Sequence, residues 1–345
     1  MRLTSEQRHV LREIVRMPKD QIVLGGRAGT GKTTVIRHLT DILEGFAVCA
    51  YTGKAVNVLK SKGVKAKTIH SLIYKAYTDG DKKVFFSLTN DLDCKGIIVD
   101  EASMVSRVLY DDLRSFGKPV IFVGDHGQLE PVGDDFNLMR DPDYSLETIH
   151  RNAGEIAHFA EYIRQGYRPS SWQVRNGPSK SISFVPRGRH MDVALDADQV
   201  ICAYNKTRAE VNFDVRKSLG RGQGLEAGDR AMCLRNDSRV GLFNGMQGVV
   251  RTVYKGDYMD FESDGEVHHV PFDPKVFGQV KYELDRDRDS PAPFDYSYCV
   301  TAHKAQGSEW DSVLVIEQKC DLWDHRRWAY TAASRARESL YWCEA

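Results

Sequence analysis

Gly26-Arg-Ala-Gly-Thr-Gly-Lys-Thr33 decides the reading of this chain. The run fits G-x-x-x-x-G-K-[ST], a loop whose backbone N–H groups cradle phosphate oxygens. Its flanks agree. Gln21-Ile-Val-Leu-Gly25 reads as a short buried strand, and Thr34-Val-Ile-Arg-His-Leu-Thr-Asp-Ile-Leu43 as a helix. Strand, glycine loop and helix in that order aim the loop amides and the helix N-terminus at one anion. Gly26, Ala28, Gly29, Thr30, Gly31, Lys32, Thr33 and Thr34 therefore form the candidate nucleotide-binding set. Lys32 would reach the β- and γ-phosphates of ATP or GTP, and the Thr33 hydroxyl would hold Mg²⁺. A ligand-free glycine turn accounts for the glycines but not for Lys32 and Thr33 in their places.

Working outward, strands are expected over residues 21–24, 47–51, 96–99 and 120–123, with helices over 33–43, 55–62 and 105–116. That alternation predicts an α/β fold, a parallel sheet with helices on both faces. The strand Gly96-Ile-Ile-Val99 ends in Asp100-Glu101. A carboxylate at the carboxyl end of a strand lies beside the phosphate loop in such sheets. Asp100 is thus a second candidate for Mg²⁺, and Glu101 for orienting or deprotonating the attacking water. Val120-Ile-Phe-Val123 leads into Gly124-Asp-His-Gly-Gln128. Gln128 either contacts the γ-phosphate or is a solvated loop residue. Residues 78–95 break the alternation: Asp79-Gly80 is a turn signal before Val84-Phe-Phe-Ser-Leu88, so a projecting hairpin is expected.

A second domain is expected to start after Asp141-Pro142, giving 1–142 and 143–345. It begins with a helix near 155–164 and an irregular Pro- and Gly-containing stretch. Strand and helix then alternate again: strand 199–204, helix 207–219, strands 298–301 and 312–316, helix 327–336 and strand 339–343. Residues 224–292 interrupt this pattern. Their short strands and the turn signals Asn244-Gly245, Lys255-Gly-Asp257 and Asp264-Gly265 predict a small all-β barrel.

The 345 residues are enough for two ordinary cores, and 41% hydrophobic with 28% charged residues reads as globular. No apolar run approaches membrane-spanning length, which argues against a bilayer-embedded machine. Met1-Arg-Leu-Thr-Ser-Glu-Gln7 has no apolar stretch of the signal-peptide kind. Seven cysteines at irregular spacing, with no C-x-x-C, predict free thiols in a reducing compartment and no zinc site. Lys+Arg and Asp+Glu are both 48, so net charge gives no signal for a nucleic-acid partner. Locally, lysines 54, 60, 62, 65 and 67 occur with no acid between them, as either a solvated helix face or a phosphate-binding patch.

Taken together, the blocks of this chain resemble a superfamily 1 DNA helicase of the RecD/Dda branch (superfamily 1B). The resembling blocks are Gly25 to Thr33, Ala50-Tyr-Thr-Gly-Lys-Ala55, Thr68-Ile-His-Ser-Leu72, Val99-Asp-Glu-Ala-Ser-Met-Val105, Gly124 to Val132, Thr148-Ile-His-Arg151, Thr301-Ala-His-Lys-Ala-Gln-Gly-Ser-Glu-Trp310 and Tyr330-Thr-Ala-Ala-Ser-Arg-Ala336. The phosphate loop alone specifies only a nucleotide triphosphatase; the Thr301 and Tyr330 blocks specify the branch.

The resemblance implies two RecA-like domains with ATP between them. The first would carry a short hairpin pin, and the second an SH3-like barrel. It implies that Arg151 and Arg335 reach the γ-phosphate as arginine fingers, and that Gly307 and Glu309 contact the nucleotide. Gln7 resembles an adenine-reading glutamine, but Thr4-x-x-Gln7 is equally a capping box for the helix that follows. For DNA, the resemblance points to Thr52, Lys54, Thr68 and His70 in the first domain, and to Thr301 and His303 in the second. These contacts are to backbone phosphate, without base readout. Phe136 and Trp310 either stack on bases or pack in the core. Three departures stand out: Arg27 where relatives often have proline, Glu130 where they have proline or a small residue, and Ser334 for threonine.

The implied activity is an ATP-driven helicase that travels 5′-to-3′ on single-stranded DNA and separates duplex at junctions. It would be a cytoplasmic monomer, bacterial or phage-encoded, working with a single-strand-binding or replisome protein. Two rivals remain at this level: a translocase that displaces proteins without unwinding, and an ATP-gated DNA clamp. RNA as the track is open too, because backbone contacts do not settle 2′-OH discrimination.

Overall fold

The computed structural model describes residues 3–16, 19–78, 84–130, 136–149, 154–237, 240–282, 290–319 and 323–344. The chain divides into two compact units, residues 1–77 with 85–158 and residues 159–345 with 78–84.

The first unit is a parallel sheet of six strands in the order β3-β2-β6-β7-β1-β8. Its elements run α1 (Ser5–Arg16), β1 (Gln21–Gly26), α2 (Lys32–Ile42), β2 (Phe46–Ala50), α3 (Gly53–Ser61), β3 (Ala66–Thr68) and α4 (Ile69–Ile73). After β4 (Tyr74–Thr78) and β5 (Val84–Leu88) come β6 (Gly96–Asp100), α5 (Arg107–Ser115), β7 (Val120–Gly124) and β8 (Tyr144–Leu146). Successive residues of a strand point to opposite faces. Ile22, Leu24, Ile98, Ile121 and Val123 accordingly join one core cluster, with residues of α1, α2 and α3. Val23, Ile97, Val99, Val120 and Phe122 join another, with residues of α4 and α5. Both faces are covered, which is why the strands read as unbroken apolar runs.

Strands β4 and β5 form their own two-stranded sheet. The Asp79-Gly80 turn signal lies outside the described residues. The expected domain boundary after Pro142 moves: the first unit continues to residue 158. Chain beyond Pro142 still belongs to the first sheet, because β8 lies parallel to β1 with Gly26 opposite Leu146.

The second unit begins within α6 (Gly154–Arg164), followed by α7 (Ser171–Asn176), β9 (Ile182–Val185), α8 (Met191–Ala194), β10 (Gln199–Cys202) and α9 (Asn205–Ser218). Then come β11 (Arg230–Cys233), β12 (Gln247–Tyr254), β13 (Tyr258–Ser263), β14 (Glu266–Pro271), β15 (Phe294–Tyr296), β16 (Cys299–Thr301), α10 (Ala302–Ala305), β17 (Trp310–Ile316), α11 (His325–Ala333) and β18 (Ala336–Cys343). A parallel sheet has the order β16-β10-β17-β18-β9, and an antiparallel one the order β14-β13-β12-β11-β15. The antiparallel sheet therefore reaches beyond residue 292, the expected end of the all-β stretch, since β15 pairs with β11. The expected helix over 327–336 starts earlier, where Asp324 accepts from Arg326 N, and ends before Arg335 because Ala336 opens β18.

Buried ion pairs fasten the antiparallel sheet to α9. Arg208 pairs with Asp295, and Arg216 Nε donates to Asp229 at 2.9 Å. The six described cysteines are free thiols. Among the described residues, no helix is long and apolar enough to cross a membrane.

Candidate nucleotide and nucleic-acid sites

The phosphate loop takes its shape from backbone freedom. Gly29 and Gly31 lie at φ 78° and 82°, a region glycine enters without strain. A Cβ on Gly26 would come within 2.9 Å of Thr30 Oγ1 and Lys32 Cγ, so the loop closes only over a glycine. Helix α2 starts at Lys32 behind Gly31, with no side-chain cap. Thr34 N donates to Gly31 O at 3.0 Å, and a helix start without a side-chain cap suits an anion. Lys32 Nζ donates to Gly26 O at 2.9 Å and Arg27 O at 3.1 Å, and lies 3.7 Å from Asp125 Oδ2. Thr33 and Thr34 sit in the first turn of α2.

Gln7 turns out to serve two structures at once. Its Oε1 accepts from Thr4 N at 3.0 Å while Gln7 N donates to Thr4 Oγ1 at 3.2 Å, a complete capping box. Its Nε2 donates to Thr30 O in the phosphate loop at 3.0 Å.

Strands β6 and β7 bring the acidic side of the site. Asp100 Oδ1 accepts from Glu101 N at 2.9 Å. Burial raises the Asp100 pKa from its ordinary value, and the Glu101 N–H bond and then the Lys32 charge oppose that shift. Glu101 has φ 54°, a left-handed backbone that is strained for a residue with a side chain. Gly124 ends β7 so close to the turn after Glu101 that a Cβ there would meet Ser103 N at 2.9 Å.

Asp125, fully buried, was missed by the sequence reading. It accepts from Gly127 N at 2.9 Å and from Gln128 Nε2 at 3.3 Å, besides facing Lys32. The available signal was positional: Asp125 directly follows β7 much as Asp100 ends β6. Lys32, Asp125 and Gln128 thus share one cluster, with Asp100 within electrostatic reach of Lys32.

The threonines expected at nucleic acid are all helix caps. Thr52 accepts from Ala55 N at the start of α3, Thr68 from Ser71 N at the start of α4, and Thr301 from Lys304 N at the start of α10. Thr68 and Thr301 close the edge strands of their respective sheets, each two residues before a histidine. Ring centroids of His70 lie 6.5 Å from Tyr51 and 5.6 Å from Tyr74; His303 lies 5.6 Å from Trp323. Burial lowers the pKa of both histidines.

The lysine run splits. Lys54 belongs to the first turn of α3, whereas Lys60, Lys65 and Lys67 line a hollow with Phe46, Val64 and Leu72. Phe136 packs on Tyr110, centroids 5.0 Å apart, with the Arg107 guanidinium 5.3 Å from its ring. Phe136 is half-buried in this contact. Trp310 opens β17 and its backbone N–H donates to Arg335 O at 2.9 Å.

Arg335 is buried and committed to its own unit. Its Nε donates to Thr331 O at 3.0 Å, Nη1 to Ser308 O at 3.2 Å and Nη2 to Ser334 Oγ at 2.9 Å. The Gly307–Glu309 segment and Arg335 are therefore brought together, with Gly307 at φ 72° and Glu309 exposed. Arg151 lies outside the described residues.

A family model described as an AAA domain matches residues 2–177, and one described as the UvrD-like helicase C-terminal domain matches 296–343. The ATP-dependent RecD2 DNA helicase of Deinococcus radiodurans is 28% identical over 98% of this chain and 48% of that protein. The ATP-dependent DNA helicase dda of Enterobacteria phage T4 is 31% identical over 38% of this chain and 33% of that protein. The chain thus spans less than half the length of these curated relatives. Bacteroides Pif1 bound to single-stranded DNA shares the fold at TM-score 0.67 and 20% identity, covering 99% of this chain and 92% of that one. With the AAA domain model matching more than half of its length, the chain belongs to that P-loop family, as a member of superfamily 1B of the helicases.

Proposed function

We propose that this chain is an ATP-dependent DNA helicase that moves 5′-to-3′ along single-stranded DNA and parts duplex at junctions. The carrying observation is the cluster at the ends of three neighbouring strands: Lys32 after β1, Asp100 and Glu101 at β6, Asp125 and Gln128 after β7. It supplies a phosphate-binding cation, a metal-binding carboxylate, a base for water and a γ-phosphate sensor, the parts phosphoryl transfer needs. Two relatives support the reading through what they are named for: the RecD2 and dda proteins are ATP-dependent DNA helicases, and a Bacteroides Pif1 structure holds ADP-AlF3 and single-stranded DNA.

Mg²⁺ fits this donor set. Among the described residues no group of three or more His, Cys, Asp or Glu forms a metal cage. The Thr33 hydroxyl and Asp100 carboxylate instead offer two hard oxygens, enough for an ion that arrives on ATP and keeps several waters. Bound there, Mg²⁺ would neutralise charge developing on the phosphates. In this reading Glu101 positions the attacking water, Gln128 senses the γ-phosphate, and Arg151 and Arg335 offset charge on the transferred group. Thr52, Lys54, Thr68, His70, Thr301 and His303 grip the DNA backbone, the β4–β5 hairpin is the separating pin, and the antiparallel sheet is the SH3-like module. The protein works as a cytoplasmic monomer, alongside a single-strand-binding or replisome protein.

The test is ATPase activity with and without single-stranded DNA, followed by unwinding of forks tailed at the 5′ or the 3′ end. Stimulation with unwinding from the 5′ tail is expected. Stimulation without unwinding, but with displacement of a bound protein, would favour the translocase. Turnover indifferent to DNA would end the motor reading.

A further inference from the structure

Arg27 stands in the phosphate loop with no proline ring to fix its backbone. Gly29 and Gly31 add freedom that must be lost when the loop takes its binding shape. Yet the loop is tied on both sides of its turn. On one side Arg27 N donates to Leu146 O at 3.5 Å, and the Arg27 guanidinium pairs with the Glu147 carboxylate. Glu147 is itself held: Glu147 N donates to Glu6 Oε1 at 2.8 Å and Thr148 N to Glu6 Oε2 at 3.2 Å. On the other side Gln7, next to Glu6, donates to Thr30 O at 3.0 Å. The ring Arg27–Glu147–Glu6–Gln7–Thr30 closes on the capped first turn of α1.

We propose that this ring is a strap that holds the phosphate loop in its nucleotide-binding shape, with Glu6 and Glu147 as positioning residues for the triphosphate. The proposal rests on the ATP reading above. The strap grips loop backbone and Arg27, so it acts on any nucleoside triphosphate. An adenine-reading Gln7 would act on ATP alone.

The experiment compares wild type, Glu147→Ala, Arg27→Met and the double variant, each with ATP and with GTP. Binding of fluorescent ATP and GTP analogues is measured alongside KM and kcat. Glu147→Ala is expected to raise Kd and KM for both nucleotides about two- to fivefold, the reach of a half-exposed ion pair, with kcat little changed. The double variant should be no worse than the worse single one, because both break one link. Thermal melts verify that Glu147→Ala stays folded; Glu6→Gln, expected to weaken both nucleotides in the same direction, is the second variant. A wild type that binds no nucleotide sinks the underlying reading. Wild-type binding with unchanged constants in Glu147→Ala, additive losses in the double variant, or a loss confined to ATP overturns the strap.

Discussion

The Lys32 ammonium lies 3.7 Å from the Asp125 carboxylate, and that carboxylate also accepts from Gln128 Nε2 at 3.3 Å. One buried acid therefore links the cation at the phosphates to the side chain proposed to sense them. Burial makes the link strict, because an unpaired carboxylate at that depth would be costly. Movement of Lys32 onto phosphate has to be matched by a change at Asp125, and Gln128 is bonded to the same group.

Asp125→Asn keeps the shape and the acceptor for Gly127 N but removes the charge beside Lys32. Neutralising Asp125 removes the ion pair to Lys32 and weakens the bonds of Gly127 N and Gln128 Nε2 to a charged acceptor, a kind that contributes about 1.5–3 kcal/mol, so DNA-stimulated kcat should fall roughly ten- to hundredfold. Steady-state ATPase assays read this directly. Wild-type turnover in Asp125→Asn would mean that the Lys32–Asp125–Gln128 link plays no part in the cycle.

Glu101 holds its left-handed backbone at a cost that glycine would not bear. Glu101→Gly should raise stability by about 1 kcal/mol, while abolishing hydrolysis through loss of the carboxylate. Glu101→Gln should lose hydrolysis without the stability gain. Calorimetry paired with ATPase assays separates the two; equal melting temperatures in both variants would show that the conformation stores no strain.

Much of this site was legible because its residues are consecutive or end a buried strand. The phosphate loop is local, and Asp100 and Gln128 follow unbroken apolar runs. Asp125 was not legible: Gly-Asp-His-Gly looks like a turn, and the importance of its acid depends on β7 lying beside β1, which no local pattern states. Gln7 shows the same limit from the other side. Thr4-x-x-Gln7 announced the cap, but the bond to Thr30 spans 23 residues. Strands β3, β8 and β9 escaped notice for a simpler reason. They are three or four residues long and lie at sheet edges, each within three residues of a turn-former: Gly63 for β3, Pro142 for β8 and Pro186 for β9. Short edge strands carry little periodicity.

Arg335 spends its guanidinium on Thr331 O, Ser308 O and Ser334 Oγ. Arg335→Ala would remove the donors to Thr331 O, Ser308 O and Ser334 Oγ in a buried place, and although the Ser334 hydroxyl still donates to Thr331 O at 3.0 Å, it should cost about 1–3 kcal/mol of stability. If the same group also serves the γ-phosphate, hydrolysis should fall by about 10³-fold or more while ATP still binds. Nucleotide binding, ATPase and melting are measured on one preparation at a temperature well below the melt. Normal turnover in a folded Arg335→Ala protein would remove Arg335 from the chemistry.

The two threonine–x–histidine corners make acid stability a further check. Burial depresses the pKa of both His70 and His303, so each stays neutral in the folded chain where an unfolded one, titrating near 6.5, would already be protonated. Below that pH the unfolded state binds more protons than the folded state, and stability rises with pH wherever that holds. Their contribution is therefore complete above about pH 6.5 and declines as pH falls through 6.5 toward the lower folded values. Tyr51 and Tyr74 around His70, and Trp323 beside His303, remain neutral across this range, so the shift originates in desolvation and not in a titrating neighbour. Melting temperatures measured from pH 8 to pH 5.5 should be flatter on the acid side for His70→Gln and His303→Gln than for wild type. Identical pH profiles would mean that both imidazoles protonate freely in place. They would then meet a nucleic-acid phosphate as cations, not as neutral N–H donors, and affinity for single-stranded DNA would climb as pH falls through 6.5.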